Sequence, residues 1–294
     1  MAEDAAGRRP AGAAAPAGRG GPAWRTLAGR IALFVVMSLI ALSTLFPLIW
    51  MVLTSLKTEA AISRNPLDLI PSHLEWSNYV RAWREVAPFF LNSTFLAVVS
   101  VVGVLIVASL AGYAFARLDF PGRNLAFSFV LATAIVPGIV YLIPQYIMFQ
   151  HIGWIDTYYP LFVPRVMTPV FGTFLMRQAF LTLPAELEDA ALVDGASRFR
   201  IYLRVMVPQV KPALAAVGIF TFIESWNDLF GPLIFINSTS KQTLPLALAQ
   251  FQGDFFTTIS LLMAASTITV VPVLVVFLFA QKYFVQAITS TGLK

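Results

Sequence analysis

Six apolar runs, each close to the length that crosses a bilayer, dominate this sequence. About 20 helical residues cover ~30 Å of hydrocarbon. The runs occupy residues 31–53, 91–116, 125–149, 158–176, 213–235 and 260–280. Because backbone polar groups cannot stay unpaired in lipid, such runs must form helices. The sequence therefore predicts an all-α integral membrane protein with six transmembrane helices.

Composition supports this class and excludes others. The chain is 58% hydrophobic and 12% charged, with a mean hydropathy of +0.76, whereas soluble domains carry about a quarter charged residues. Cysteine is absent, which excludes a disulfide framework or a thiolate metal site. The two histidines, His73 and His151, lie far apart, so we expect no metal site and no cofactor. The net charge of +5 has a topological meaning, and nucleic acid is not an expected partner.

The distribution of lysine and arginine predicts the orientation. Fourteen of these residues fall on the side that holds both termini and residues 184–212, and five fall on the other side. Because positive charge favours the inside, both termini and that loop are predicted to be cytoplasmic. Residues 1–29 are rich in Ala, Gly, Pro and Arg and predict a disordered cytoplasmic tail, which leaves 30–294 as the transmembrane domain. A cleaved signal peptide is the alternative, but the tail and the first run are both too long for one.

Prolines cluster in the third and fourth runs. They are Pro137, Pro144, Pro160, Pro164 and Pro169. Proline removes a helical hydrogen bond, so these runs are predicted to be broken helices. Such breaks either line a cavity or serve helix packing, and the sequence leaves both open.

Residues 184–212 form a polar interruption between two apolar runs, with acids followed by bases. Pro184 suits the first turn of a helix. Three acids follow where they complement the positive end of the helix dipole, namely Glu186, Glu188 and Asp189. Gly195 is predicted to end this helix in a left-handed conformation, and Ser197 to cap a second helix.

Each predicted helix of this loop has a distinct face. Helical spacing places four residues on one face of the first helix, namely Leu187, Ala190, Ala191 and Asp194. In the second helix it groups four apolar residues, namely Phe199, Tyr202, Leu203 and Met206. A hairpin lying on the lipid surface is one interpretation. We favour docking on another protein, because a small acidic helix is a poor membrane anchor.

This loop resembles the EAA loop of bacterial ABC-importer permeases, whose pattern is E-A-A, three residues, G, nine residues, then I-x-L-P. The matching positions here are Asp189-Ala190-Ala191, Gly195 and Val205-Met206-Val207-Pro208. Asp189 stands where the family usually has Glu and retains its charge. The segments FIESWNDLFGPLIF, TLPLALAQFQG and YFVQAITSTGLK resemble the carbohydrate-uptake branch, the relatives of the second maltose permease. The resemblance covers residues 30–294.

The resemblance implies a multi-pass permease subunit in a bacterial cell membrane, surrounded by lipid. Its implied partners are a second homologous permease, two ATP-binding subunits or one homodimer of them, and an extracytoplasmic solute-binding protein. The implied ATPase-coupling residues are Glu186, Glu188, Asp189, Ala190, Ala191, Asp194 and Gly195. The chain has no G-x-x-x-x-G-K-[ST] phosphate loop, so we expect a non-catalytic subunit with ATP hydrolysis in a partner. An ion-coupled secondary transporter is the alternative, although no internal repeat is evident.

Polar residues inside the fifth run predict a substrate pathway. Glu224, Asn227 and Asp228 share one helical face, and Trp226 is adjacent. Ionisable groups within a span are costly and normally face a water-filled interior. Carboxylates and an amide can pair with sugar hydroxyls, and an aromatic ring can stack on a sugar. Alternatively, these residues cross-link helices or cap a break before Gly231.

Arg165 is the other charge at membrane depth. With a rise of 1.5 Å per residue, Arg165 and Asp228 both lie ~10 Å from the outer ends of their runs. We therefore expect them to pair, which adds Arg165 to the predicted pathway residues. The alternative is that Arg165 extends to the outer interface. A sugar, an oligosaccharide or a glycerol phosphate remains open as the solute, and Arg165 would be the phosphate partner of the last.

Overall fold

Helices account for the regular secondary structure of the residues that this computed structural model describes, which are 27–65, 68–71, 73–251 and 258–291. The predicted tail lies outside the described residues except for 27–29, which form the start of the first helix. Contacts divide the chain into two units at Trp50–Met51. The two units are described separately.

The α-helices follow one another along the described residues with short connections. They are α1 (Leu27–Ser55), α2 (Glu59–Arg64), α3 (Ser77–Arg117), α4 (Arg123–Thr133), α5 (Leu142–His151), α6 (Tyr159–Met167), α7 (Val170–Leu181), α8 (Glu186–Val193), α9 (Arg198–Ile201), α10 (Val207–Gln209), α11 (Lys211–Trp226), α12 (Phe230–Phe235), α13 (Leu244–Phe251) and α14 (Ile259–Thr291). Two 3₁₀ segments, Gly138–Tyr141 and Thr239–Lys241, and one π segment, Tyr202–Met206, lie between them.

Three helical segments are long and apolar enough to cross a membrane by themselves, namely Gly29–Ser55, Ser77–Arg117 and Ile259–Phe279. Three further candidates are pairs of helices bent by 78–85° at short breaks. The described residues thus contain three to six candidate spans. The all-helical membrane class is confirmed at this level.

The first unit, within the described residues, is α1 up to Trp50. The Ser43 and Thr44 hydroxyls both donate to the Ile40 carbonyl oxygen, at 2.9 and 2.8 Å. Polar side chains in an apolar span need such internal partners, because lipid supplies none. The hydroxyls therefore do not oppose insertion of this helix.

Helix α3 is the central element of the second unit. Its 41 residues extend ~60 Å at 1.5 Å per residue, and it packs against α6, α7, α11, α13 and α14. It contacts α7 so closely that a Cβ added at Gly112 would lie only 2.5 Å from Met176 Cβ. From the α7 side of the same contact, a Cβ added at Gly172 would lie 2.9 Å from Ala108 Cβ of α3. Side chains at these glycines would force the two helices apart.

Three predicted spans are broken rather than continuous. The run 125–149 divides into α4 and α5, which meet at 85° at Pro137. In the run 158–176, Thr168 has φ −128° and ψ 61°, because Pro169 disfavours the helical conformation in the residue before it. In the run 213–235, α11 ends at Trp226 and α12 begins at Phe230.

Candidate functional site

Arg165, Glu224 and Asp228 form a charge triad at membrane depth. Arg165 Nη2 donates to Asp228 Oδ2 at 3.2 Å, and Arg165 Nε lies 3.4 Å from Glu224 Oε1. Arg165 Nη1 donates to the Leu161 carbonyl oxygen at 3.2 Å. The predicted pairing of Arg165 with Asp228 is confirmed, and Glu224 is a second partner. Each nitrogen of the guanidinium therefore has an acceptor nearby, and its single positive charge faces two carboxylates.

Asp228 also organises the break in its own span. Its Oδ1 accepts a hydrogen bond from the Gly231 backbone N–H at 3.0 Å, so it pairs one of the free N–H groups that begin α12. A Cβ at Gly231 would lie 2.9 Å from Asp228 Oδ2, so a side chain there would require this carboxylate to shift. The alternative in which the polar residues cap the break and cross-link helices is thus confirmed for Asp228.

Exposure separates the members of the triad. The Glu224 side chain is 68% exposed, whereas the Arg165 and Asp228 side chains are mostly buried. Asn227 is exposed, and its Nδ2 donates to the Ile223 carbonyl oxygen at 3.0 Å. Glu224 and Asn227 are therefore the polar groups that a solute could contact here.

The expectation that Trp226 lines a substrate pathway is wrong. Trp226 is only 1% exposed, and its Nε1 donates to the Thr269 carbonyl oxygen at 3.1 Å. Its ring stacks on Phe222 and meets Phe90 edge to face. The i, i+3, i+4 spacing groups Glu224 with its polar neighbours, but Trp226 points to the opposite side of α11 and joins the core.

Near the last residue of α3, Arg117, residues 184–212 form the predicted helix–glycine–helix element. Helix α8 ends at Val193, and Gly195 has φ +73°, a left-handed conformation that other residues adopt at a cost. The Ala196 N–H donates to the Ala191 carbonyl oxygen at 3.0 Å, which closes the turn. The Ser197 side chain accepts from the Arg200 N–H at 3.4 Å. The predicted glycine turn and serine cap are confirmed.

The outer surface of α8 is exposed and carries acidic and small side chains. Exposed members of the predicted coupling set are Glu186, Asp189, Ala190, Asp194 and Gly195. Ala191 is half-buried against the core. Beside this surface, Val193 is 89% exposed. An acidic surface with the apolar Val193 beside it is thus available to a partner.

Glu188, another member of the predicted coupling set, does not belong to that surface. It is 6% exposed, and its carboxylate oxygens lie 3.8 Å from Arg117 Nε and 3.8 Å from Arg198 Nη1. A buried carboxylate needs such compensation. Because Arg117 is 71 positions away in the chain, sequence spacing gave no signal for this partner.

The predicted apolar face of the second helix is half wrong. Tyr202 and Met206 are buried, but Phe199 and Leu203 are exposed. The buried face instead runs through Ile201, Tyr202 and Met206, and the last two belong to the π segment Tyr202–Met206.

A second polar cluster, not found from sequence, joins two loops. Asp156, between α5 and α6, accepts hydrogen bonds from the Ser238 hydroxyl at 2.5 Å and from the Ser238 and Asn237 N–H groups at 2.8 and 3.0 Å. Lys241 Nζ lies 3.1 Å from its carboxylate. The Ser238 hydroxyl and N–H, with Lys241 and Asn237, hold the pKa of Asp156 well below its usual range. Asp156 itself has φ +60°.

No group of His, Cys, Asp and Glu residues within the described ranges could hold a metal ion. The chemistry that these sites support is charge pairing, hydrogen bonding and protein contact.

Comparisons with known proteins agree with this geometry. Residues 105–290 match the family described as binding-protein-dependent transport system inner membrane component. The chain is 33% identical over 267 residues to the arabinooligosaccharides transport system permease protein AraQ of Halalkalibacterium halodurans, covering 89% of this chain and 95% of the relative. It is 33% identical over 271 residues to the trehalose/maltose transport system permease protein MalG of Thermococcus litoralis, covering 90% and 97%.

Among solved structures, a chain of a bacterial ABC transporter involved in the import of the acidic polysaccharide alginate has the same fold. The TM-score is 0.74 with 25% sequence identity, covering 88% of this chain and 98% of that chain. The family resemblance drawn from residues 184–212 and from the segment FIESWNDLFGPLIF is confirmed. The chain belongs to the family of binding-protein-dependent transport system inner membrane components and is a multi-pass ABC-importer permease subunit, with ATP hydrolysis in a partner subunit.

Proposed function

We propose that this chain forms half of the transmembrane pathway of an ATP-driven importer for a sugar or a related polyol. A second homologous permease supplies the other half. In this proposal six spans cross the membrane, and both termini and the loop 184–212 are cytoplasmic. The excess of Lys and Arg on that side supports this orientation. A solute-binding protein then meets the opposite, extracytoplasmic face.

The proposed coupling to the ATPase is supported above all by the exposed acidic surface of α8. Asp189, Ala190 and Asp194 face outwards, and Val193 extends beyond them. Alanine permits close approach, the carboxylates suit a basic cleft, and an exposed Val193 would gain from burial. We infer that this surface docks on one of two ATP-binding subunits. These are either two different chains or two copies of one chain.

The charge triad favours a sugar over a phosphorylated polyol. Each guanidinium nitrogen of Arg165 already lies beside Leu161, Glu224 or Asp228, so a phosphate would have to compete with two carboxylates for it. The exposed Glu224 carboxylate can accept hydrogen bonds from sugar hydroxyls and would repel an anion. The named cargoes of the relatives are mixed, with arabinooligosaccharides and trehalose or maltose for two of them and sn-glycerol 3-phosphate for a third, so this preference rests on the triad and not on the relatives.

Reconstitution tests this function. The chain would be co-expressed with its partner permease, ATPase and binding protein, and the complex placed in proteoliposomes. Arabinotriose, maltose and glycerol 3-phosphate would be offered in turn. We expect a neutral sugar with its binding protein to stimulate vanadate-sensitive ATP hydrolysis and uptake. Uptake that ignores vanadate but stops when an ion gradient is dissipated would overturn the proposal in favour of a secondary transporter.

A further inference from the structure

Glu188 is the one residue within the short helix α8 that is buried. It belongs to the helix whose outer surface is proposed to meet the ATPase, but it points to the opposite side. Its Oε1 accepts no hydrogen bond from any described residue, so the carboxylate is compensated mainly by neighbouring positive charge. A charged group in such a position fixes where its helix can lie.

Arg117 supplies much of that charge and joins three elements. It is the last residue of α3, and its Nε lies 3.8 Å from Glu188 Oε1. Its Nη2 donates to the carbonyl oxygens of Phe180, at 2.6 Å, and of Leu183. Carbonyl groups at the end of a helix have no intrahelical partner. Arg117 therefore ties the end of α3 to the end of α7 and to α8.

Arg198 approaches the same carboxylate from the other half of the loop. It begins α9, and its Nη1 lies 3.8 Å from Glu188 Oε2. One carboxylate thus connects both sides of the turn at Gly195. Glu188, Arg117 and Arg198 are called the α8 anchor below.

The two spans that meet the α8 anchor are themselves locked together. Arg177 of α7 donates from Nε to the Phe115 carbonyl oxygen of α3 at 3.3 Å, and its guanidinium lies 4.3 Å from the centre of the Phe127 ring. Arg117 makes the converse contact from α3 to α7. With Gly112 packed directly on Met176, α3 and α7 form one body near the loop.

We propose that Glu188 is a positioning residue that makes α8 rigid with α3 and α7, so that displacement of α8 moves both spans. Replacing a buried ion pair by apolar groups is often neutral for stability, and in some proteins a buried polar group instead fixes a defined geometry. Without the anchor, the connection 182–185 and the half-buried Ala191 would have to hold the 78° bend between α7 and α8. The proposal rests on the proposed docking of α8 on an ATPase.

The test compares docking with transmission in the complete complex of both permeases and the ATPase in nanodiscs. Hydrogen exchange would be measured with no nucleotide and after trapping with ATP and vanadate, which needs no solute. In the unmodified complex we expect trapping to change exchange in α8, α3 and α7. In Glu188→Gln we expect the ATPase to co-purify as before and the change at α8 to persist. The change in α3 and α7 should shrink roughly fivefold or more.

Two variants control the measurement. Asp119→Asn removes the same charge from a side chain that is 96% exposed near the end of α3, and it should behave as the unmodified chain. Arg117→Lys retains the charge but loses the fork that spans two carbonyl groups, and it should reduce transmission as Glu188→Gln does. Misfolding would instead raise exchange throughout both spans before trapping.

Three results would overturn or separate the proposals. The anchor would be overturned if Glu188→Gln and Arg117→Lys both showed the full nucleotide-dependent change of hydrogen exchange in α3 and α7. It would also be overturned if global unfolding were the only effect of both variants. Loss of ATPase co-purification in Glu188→Gln would make Glu188 a docking residue. If Asp189→Asn and Val193→Arg retain the ATPase fully, the docking of α8 itself is wrong.

Discussion

Arg165 and Asp228 meet at 3.2 Å, and each lies beside an interruption of its own span. Arg165 is three positions before Thr168, where α6 gives way to α7, and Asp228 lies between α11 and α12. The ion pair therefore joins two helix breaks, and Glu224 extends the cluster to an exposed surface. This arrangement has a direct mutational test.

Reversing both charges should partly restore what either single reversal removes. Arg165→Asp or Asp228→Arg leaves unbalanced charge at membrane depth, which costs about 3 kcal/mol when a buried pair is broken. In the double variant the pair forms again, but Glu224 now meets a carboxylate, so we expect partial recovery of uptake. Equal loss of uptake in the double and single variants would show that the pair is unimportant. Adding Glu224→Gln to the double variant should improve the recovery.

Trp226 should act through stability and not through solute contact. Trp226→Phe retains ring packing but removes the hydrogen bond to the Thr269 carbonyl oxygen, and should lower the unfolding free energy by about 1 kcal/mol. Trp226→Ala opens a cavity and should cost about 3–5 kcal/mol. Thermal unfolding in detergent measures both. Altered solute preference in Trp226→Phe at unchanged stability would contradict this assignment.

Substitution at Gly195 should follow backbone conformation rather than size. No atom lies within 4 Å of a Cβ built there, so the cost arises from φ +73° alone. Asparagine tolerates this region, whereas valine does not. We expect Gly195→Asn to retain most ATP-driven uptake and Gly195→Val to lose it, with about 1–2 kcal/mol of local destabilisation. Similar uptake in both variants would show that the turn geometry is dispensable.

The Asp156 cluster should make stability sensitive to acid. Because the pKa of Asp156 is lowered in the folded chain, its contribution is fully present above the unfolded pKa of about 3.9 and disappears as the pH falls towards the folded value. Asp156→Asn should therefore lower the melting temperature at pH 7, and this difference should shrink below about pH 4. The exposed Asp119→Asn serves as the control. A pH-independent difference between Asp156→Asn and the unmodified chain would contradict the charge-based explanation.

Local patterns in the sequence were sufficient for features set by local chemistry. The left-handed Gly195 and the Ser197 cap follow from the conformational preferences of single residues. The apolar runs follow from the thickness of a bilayer. The pairing of Arg165 with Asp228 was predictable because an isolated charge at membrane depth demands a partner at the same depth.

Features set by distant contacts were not predictable in the same way. The acids Glu186, Glu188 and Asp189 all lie in the first turn of α8, and their spacing does not show which of them is buried beside Arg117 and Arg198. In the second helix of the loop, packing against α3 and α7 buries Ile201 and leaves Phe199 exposed, and apolar spacing alone does not distinguish the two. The Asp156 cluster joins residues 81 or more positions apart, and no short spacing signals it.

Helix α3 is about twice as long as the bilayer core is thick, since its 41 residues extend ~60 Å and the hydrocarbon measures ~30 Å. At one end Asn78 donates to the carbonyl oxygens of Ser55 and Lys57, and at the other end Arg117 meets Glu188. In the proposed orientation this single helix, which contains Pro88, is a rod between the two aqueous faces. Thermodynamic linkage through such a rod is reciprocal: if nucleotide at one face alters affinity for a protein at the other, arrival of that protein must alter nucleotide affinity by the same factor.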